Sequence, residues 1–505
     1  MTKIFKNLIL LTAIFTGFSL HAQTFTSIFS NGTSISAFGN VHLSTDNIKI
    51  NNGSVLNTRN SFCTANSITA SNSGKIVYTN SSIVSKSISS PIDLNVKFDK
   101  ESIVLFSLPF DVAKENINGF NGLVLKQYTG KFNDWKYVSG NTVKKGGYSI
   151  QNYNDELNTT ISGELVYTNT QKLDFIDKWE LIENPFLATF DLNVLDPNNS
   201  EIYGIESTYY FWNGTNYLYF NPNAQDKFSG LTDLGKTDAL LLPLQTCFVR
   251  TSKKNANVNL DAKKLTHLKT KTNMKGGSDY SEFQYLKISA NGNEISDPTV
   301  VLFYENAEDN ADGTYDAWKM ISPANGVPQI FTSSPDGADL AVNVMKNYKP
   351  DMQIPLNFTS NKDGKYSINL EGSSRLDNIF IYDSKTGETY DLTAQQSFSF
   401  GYNTSDNVNR FTLFFEKNGV SGITNEISNQ NKFNIYAFDK TVNVVTGNLE
   451  NRQVQVSIYD AIGRLVVSEK MTNEHSKFQA DFRQASYFVK INENGKAFTK
   501  QVIIN

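Results

Sequence analysis

Apolar and polar residues alternate in short runs along most of the chain, and Gly, Asn and Asp interrupt the runs. A period of two sends successive side chains to opposite faces, which is the pattern of half-buried strands. Helical stripes are scarce, and only 316–320 and 338–345 are spaced for a turn or two of helix. The pattern predicts an all-β, multi-domain chain built of sandwich-like or jelly-roll-like modules.

Changes in the alternation mark the modules. Residues 23–90 are nearly free of charge, with isolated apolar residues such as Ile35, Val41, Ile48, Ile50, Val55, Ile68, Ile76 and Val77 among polar residues and Gly. Stacked short strands bury such residues, as in a β-solenoid or a flat sandwich edge, although the spacing is too ragged to count rungs. The alternative is a low-complexity, partly disordered lead-in, because the apolar content is low. Residues 91–262 carry stronger strands and form a sandwich-like module. Within it, Asn213-Gly214 separates two aromatic runs in 209–220, and both residues tolerate the positive φ of a tight hairpin. The Lys-rich 263–275, with Gly276 and Gly277, reads as a linker. Residues 279–418 form a second sandwich-like module, with Ser384-Lys385-Thr386-Gly387 turning one strand into the next, and 419–431 is a polar linker. Residues 432–505 make a small Ig-like module in which Val454, Val456 and Ile458 share a strand face.

The beginning of the chain changes the compartment. Lys3 and Lys6 precede an apolar run over 8–18 and then Ser19-Leu20-His21-Ala22-Gln23, the layout of a signal peptide over 1–22 that leaves Gln23 as the mature N-terminus. The apolar run is shorter than the roughly 20 residues that span a bilayer, and no later run is long enough, so a mature chain without a transmembrane segment is expected. Cleavage removes Lys3 and Lys6 and no acid, so the formal net charge moves from -4 to -6. Such mild acidity, with no basic stretch beyond the Lys-rich linker 263–275, argues against nucleic acid as a partner. Cys63 and Cys247 are the two cysteines; they can pair in an oxidising envelope or stay as isolated buried thiols.

The last module carries a specific pattern: Val454-Gln455-Val456-Ser457-Ile458-Tyr459-Asp460-Ala461-Ile462-Gly463-Arg464-Leu465-Val466, then Tyr487-Phe488-Val489-Lys490-Ile491, Gly495, and Thr499-Lys500-Gln501-Val502-Ile503-Ile504. These residues resemble the type A sorting domain of the type IX secretion system of Bacteroidetes. One departure is Gln484-Ala485-Ser486, where the family usually places Gly before the Tyr-x-Val strand. The resemblance implies that Asp460, Gly463, Arg464, Tyr487, Val489, Lys490, Gly495 and Lys500 belong to the sorting signal. It also implies a partner in the type IX machinery and a location outside the cell or on its outer surface. In such proteins the sorting domain is commonly cut off, and the cargo is released or attached to surface lipopolysaccharide; 419–431 is the expected place of the cut. The segments 179–186, 242–249 and 410–413 resemble strand motifs of uncharacterised cargo regions in such proteins.

Few constellations carry chemistry. His42, His267 and His475 fall in separate expected modules, and no G-x-S-x-G or H-E-x-x-H pattern occurs, so a triad or zinc site is not expected. No pair of carboxylates stands out for glycosidase work. Asp309, Asn310, Asp312 and Asp316 place hard oxygens around Gly313, as Ca²⁺ requires, but Lys319 stands where an EF-hand loop has its bidentate Glu. The plainer account is an acidic turn with Asp316 capping a short helix. No cofactor is therefore expected, with calcium as the single candidate. Trp212, Tyr217 and Tyr219 alternate along the hairpin and can either stack on a sugar or peptide or pack across the sandwich. The expectation is a non-enzymatic surface protein that adheres or binds a ligand such as a glycan or a protein. The alternatives are an extracellular hydrolase with an unrecognised site and a structural matrix protein.

Overall fold

A computed structural model of the chain describes residues 19–504 apart from 22–25, 30–31, 114–118, 130–133, 139–141, 196, 229–230, 237, 269–281, 350–351, 377, 416–432, 439–440, 447–448, 450–451, 474, 484 and 494–495. The expected signal peptide up to residue 18, most of the first linker and the whole of 419–431 lie outside the described residues. Strands dominate, as the alternation predicts. The chain divides into two compact units: residues 1–214, 218–222 and 235–274 form the first, and residues 215–217, 223–234 and 275–505 form the second.

The first unit begins with parallel strands stacked in a β-solenoid. Each rung has three stretches: Ser34–Phe38, His42–Ser44 and Asn47–Ile50 are followed by Val55–Arg59 and Phe62–Ala70, then by Lys75–Thr79 and the start of Ser82–Phe98. Register pairs Val55 with Lys75, His42 with Phe62, Phe62 with Ser82, and Asn47 with Ser67. These pairs are 20 residues apart, the separation also of the bonded pairs Asn52–Asn72 and Asn60–Asn80, while other pairings depart from it, such as Ser34 with Val55. Inward columns such as Ile48, Ile68 and Ile88, or Cys63 and Ile83, are almost fully buried. Outward corners take residues that tolerate positive φ: Gly32, Gly39, Asn52, Gly53, Asn60, Asn72, Ser73 and Asn80. The disordered lead-in is thereby excluded for this segment.

An exposed parallel edge invites pairing with other chains. Here the long strand Ser82–Phe98 is covered by Leu157–Thr168, antiparallel from Phe98↔Leu157 to Ser87↔Thr168. The rest of the unit folds into small sheets on the same continuous core, which runs from Ile48 through Phe106, Ile150 and Phe186 to Leu265. One sheet is ordered Trp179–Glu183, Thr246–Arg250, Tyr209–Trp212, Tyr217–Phe220, so the expected hairpin forms with Gly214 at φ 101°. The expected linker begins later than its lysines suggest: Leu265–Thr266 pairs with Thr189–Asp191, and Lys264 Nζ reaches Glu201 at 2.5 Å.

In the second unit an 11-stranded sheet closes over one core that includes Leu286, Ile330, Leu356, Ile381, Phe400 and Leu413. Neither expected helix forms. Residues 338–345 are mostly the strand Asp339–Met345, buried along nearly its whole length and parallel to Ile295–Phe303. Burial of both faces erases the alternation, so period alone could not separate it from a helix. Residues 316–320 contain the short strand Ala317–Trp318. The α-helices described are Pro222–Phe228, with Pro at its first position, and Leu392–Gln395, capped by Asp391.

The sorting module has a three-stranded and a four-stranded sheet over a shared core containing Val454, Val456, Ile458, Phe482, Val489 and Ile491. Val454–Asp460 pairs with both Leu465–Lys470 and Ala485–Glu493, and Ala485–Glu493 pairs with the final strand Lys496–Ile504.

Candidate functional site

Solenoid corners stack at intervals of one rung, so a polar residue at a corner becomes a column of polar residues. Asn80 Nδ2 donates to Asn60 Oδ1 at 3.0 Å. Beside that column, Asn95 Nδ2 donates to Thr79 Oγ1 at 3.0 Å, and Thr160 Oγ1 donates to Asn95 Oδ1 at 2.7 Å. This amide and hydroxyl ladder lies along a cleft of 1190 Å³ within the first unit. Phe98, Ile103, Phe106, Trp212 and Leu244, nearly all of them buried, also border it, and His267 lies among the lining residues.

Charge is sparse in this cleft. Among the described residues that line it, Asp99 is the one carboxylate and Arg59 and Lys97 are the cations. Lys97 Nζ sits 2.8 Å from Glu156 and 3.1 Å from Asp99. Hydrogen bonds to these two carboxylates hold its ammonium above the ordinary range.

Trp212 and Tyr219 do not present rings to solvent. Both are buried, and Trp212 Nε1 donates to the Ile103 carbonyl at 2.8 Å. Tyr210 meets Trp179 and Tyr219 edge to face, so the aromatic alternation there is cross-strand packing. Tyr217 is half-buried, and burial raises its phenol above the usual range.

Folding brings together His42 and His267, which the sequence placed in separate modules. Thr64 Oγ1 is 2.8 Å from His42 Nε2 and 2.9 Å from His267 Nε2, and His267 Nδ1 is 2.8 Å from Ser82 Oγ. Burial, then the nearby His42, lowers His267 to about 4, so its ring is neutral near neutral pH. A hydroxyl between two imidazoles has the form of a nucleophile and its base. The far nitrogen of His267, however, meets a hydroxyl and not a carboxylate that would stabilise an imidazolium. His42 lies one rung from Phe62 and two from Ser82, so only the 20-residue register could have pointed to this cluster. His475 lies in the strand His475–Gln479 of the sorting module.

The acidic loop is held by backbone amides, its own and those of Val344 and Lys346. Asp312 Oδ1 accepts from the Thr314 amide at 2.6 Å, and Asp316 accepts from the amides of Asp312 and Val344, each at 2.8 Å. Asp309 Oδ1 accepts from the Lys346 amide at 3.1 Å. Asp316 is buried, and desolvation pushes its carboxyl up to about 8. Among the described residues no three His, Cys, Asp or Glu side chains gather as a metal cluster. The candidate oxygens of Asp309, Asp312 and Asp316 thus serve backbone amides of the loop and of the end of the strand Asp339–Met345, and with Asn310 they form an acidic turn without the expected helix.

The sorting residues are described apart from Gly495. Asp460 Oδ1 accepts from the Ile462 and Arg464 amides at 3.2 and 2.8 Å, and Arg464 Nε donates to Asp460 Oδ2 at 3.0 Å. Gly463 at φ 82° allows this tight turn. Tyr487 is buried edge to face on Phe482, and its hydroxyl accepts from the Arg483 amide at 2.9 Å. Val489 is buried in the core and Lys490 is exposed on the other face of the same strand. Lys500 faces Val489 across the ladder, and burial lowers its ammonium to about 8.

Among the described residues no helix is long and apolar enough to cross a membrane. No curated protein matches the chain. One solved structure similar to it is PorZ, described as an essential bacterial surface component of the type-IX secretion system of Porphyromonas gingivalis. The identity is 13% over 37% of this chain and 24% of that one, with a TM-score of 0.13. Another is a biofilm associated protein, its BSP domain, with 11% identity over 83% of this chain and 63% of that one and a TM-score of 0.16. This chain spans less than two thirds of either, and at such scores neither likeness bears on fold or function. Residues 429–505 match the family described as the secretion system C-terminal sorting domain. The chain therefore carries a type IX sorting domain, which marks it for the type IX machinery and for secretion or attachment at the outer cell surface.

Proposed function

We propose that the exported protein is a non-enzymatic binding protein whose first-unit cleft takes an uncharged, hydroxyl-rich chain, a glycan of the cell surface or its surroundings. The supporting observation is the ladder through Asn60, Asn80, Thr79, Asn95 and Thr160 in a cleft that apolar residues such as Ile103 and Leu244 also line. Sugars offer neutral hydroxyls on their edges and C–H groups on their faces, and such a cleft matches both. A glycosidase needs two carboxylates about 5 to 9.5 Å apart. The lone Asp99 among the lining residues favours binding over hydrolysis. After export the sorting domain is cut near 419–431, and the remainder is attached to surface lipopolysaccharide or released.

The test is a glycan array with the secreted chain, followed by calorimetry on the best ligand. Asn95→Ala and Thr160→Ala are each expected to weaken binding by about tenfold, since a lost hydrogen bond is worth roughly 1 kcal/mol. Unchanged affinity in both variants, or conversion of the glycan to shorter products, would refute the proposal.

A further inference from the structure

Asp297 lies in the strand Ile295–Phe303, and Lys319 directly follows Ala317–Trp318. Lys319 Nζ is 2.5 Å from Asp297 Oδ2, and both side chains are almost completely buried. The same Oδ2 accepts from the Ile330 amide at 2.7 Å. An ammonium carries three donors, yet the side-chain hydrogen bond described for Lys319 is the one to Asp297. A buried ion pair with so few further partners recovers its desolvation cost poorly.

We propose that Asp297 and Lys319 condense into an intramolecular isopeptide bond that ties two segments of the second unit together. A proton first passes from the ammonium to the carboxylate, leaving a neutral amine and a neutral acid. The amine lone pair then forms the Nζ–Cγ bond. The Cγ–Oδ1 bond breaks, and Oδ1 leaves as water with the proton that the carboxyl group took up and one further amine proton. One carboxylate and one ammonium become one amide and one water, and no oxidant or other reactant is consumed.

The geometry serves each step. Contact between the groups inside a packed sheet replaces a bimolecular encounter. The Ile330 amide is placed to hold Oδ2 as negative charge gathers there and afterwards to bind the amide carbonyl. Burial also raises the proton affinity of Asp297, which favours the neutral pair. The product removes two charges from the interior and leaves a tie that neither shear nor limited proteolysis at the cell surface undoes.

The test is the intact mass of the purified chain, followed by peptide mapping. The expected mass is one water below that of the sequence, with a branched peptide joining the Asp297 and Lys319 segments. Lys319→Arg and Asp297→Ala should each restore the missing water. Two linear peptides and a full mass in the wild-type chain would overturn the proposal without any variant having to fold. So would a water deficit that persists in both variants.

Discussion

Asn80 donates to Asn60 at 3.0 Å from one solenoid rung to the one before, and both residues sit at positive φ, 43° and 50°. The side chain therefore does two things at a corner: it tolerates a left-handed backbone and it bonds its counterpart. Asn80→Ala loses both and should cost about 2 kcal/mol, while Asn80→Gly loses only the hydrogen bond and should cost about 1 kcal/mol. Denaturant unfolding of the two variants checks the order. Equal costs would show that backbone conformation contributes nothing at this corner.

Arg410 and Asp383 form a buried bidentate pair, with Nε to Oδ1 at 2.8 Å and Nη2 to Oδ2 at 2.7 Å. Arg410→Met strands the Asp383 carboxylate in the interior and should cost about 3–5 kcal/mol. Adding Asp383→Leu removes the stranded charge and should recover part of that loss, so the double variant is expected to be more stable than Arg410→Met alone. Melting temperatures of the three proteins decide it, and a double variant that melts lowest would show that the pair itself is strongly stabilising.

The strands that bury one face were legible because their alternation survives into the fold: Val454, Val456 and Ile458 point inward as the sequence implies. The solenoid was legible as a class but not as a period. Its columns mix residue types, as in Ala37, Thr58 and Tyr78, and its register spacing shifts from 21 residues at Ser34↔Val55 to 20 at Val55↔Lys75 and 16 at Ile76↔Ile92. The cleft was invisible for a related reason. Thr160 joins Asn95 only because a strand far along the chain covers the solenoid edge, and no local pattern encodes that pairing.

Burial pushes the Asp316 carboxyl up to about 8, from the 3.8 of an ordinary aspartate. Between those values the folded state keeps a proton that the unfolded state has released, so the contribution is fully present below about pH 4 and is lost as pH rises toward 8. The wild-type melting temperature should therefore fall from about pH 5 to about pH 8, and Asp316→Asn should flatten that fall. The same slope in both proteins would remove Asp316 from the account.

The sorting module makes a prediction about location. Deletion of 432–505 removes the turn around Asp460 and Arg464 together with the Val489 strand, and the truncated chain should stay in the periplasm. Fractionation and surface protease accessibility read the outcome. A truncated chain that reaches the surface at the wild-type level would show that export does not depend on these residues.

Cys63 occupies an inward solenoid column beside Ile83, and Cys247 lies within the strand Thr246–Arg250; both are free and fully buried. Desolvation pushes the Cys63 thiol up to about 12 and raises that of Cys247 as well. Only the thiolate attacks an electrophile, and a buried thiol with a raised pKa is scarcely ionised near neutral pH. The native chain should therefore resist maleimide at about pH 7.5, and the chain denatured without reductant should take up one label on each cysteine. No label after denaturation would mean that the two thiols had paired, and labelling of the native chain would mean that the solenoid core opens far more often than its packing implies.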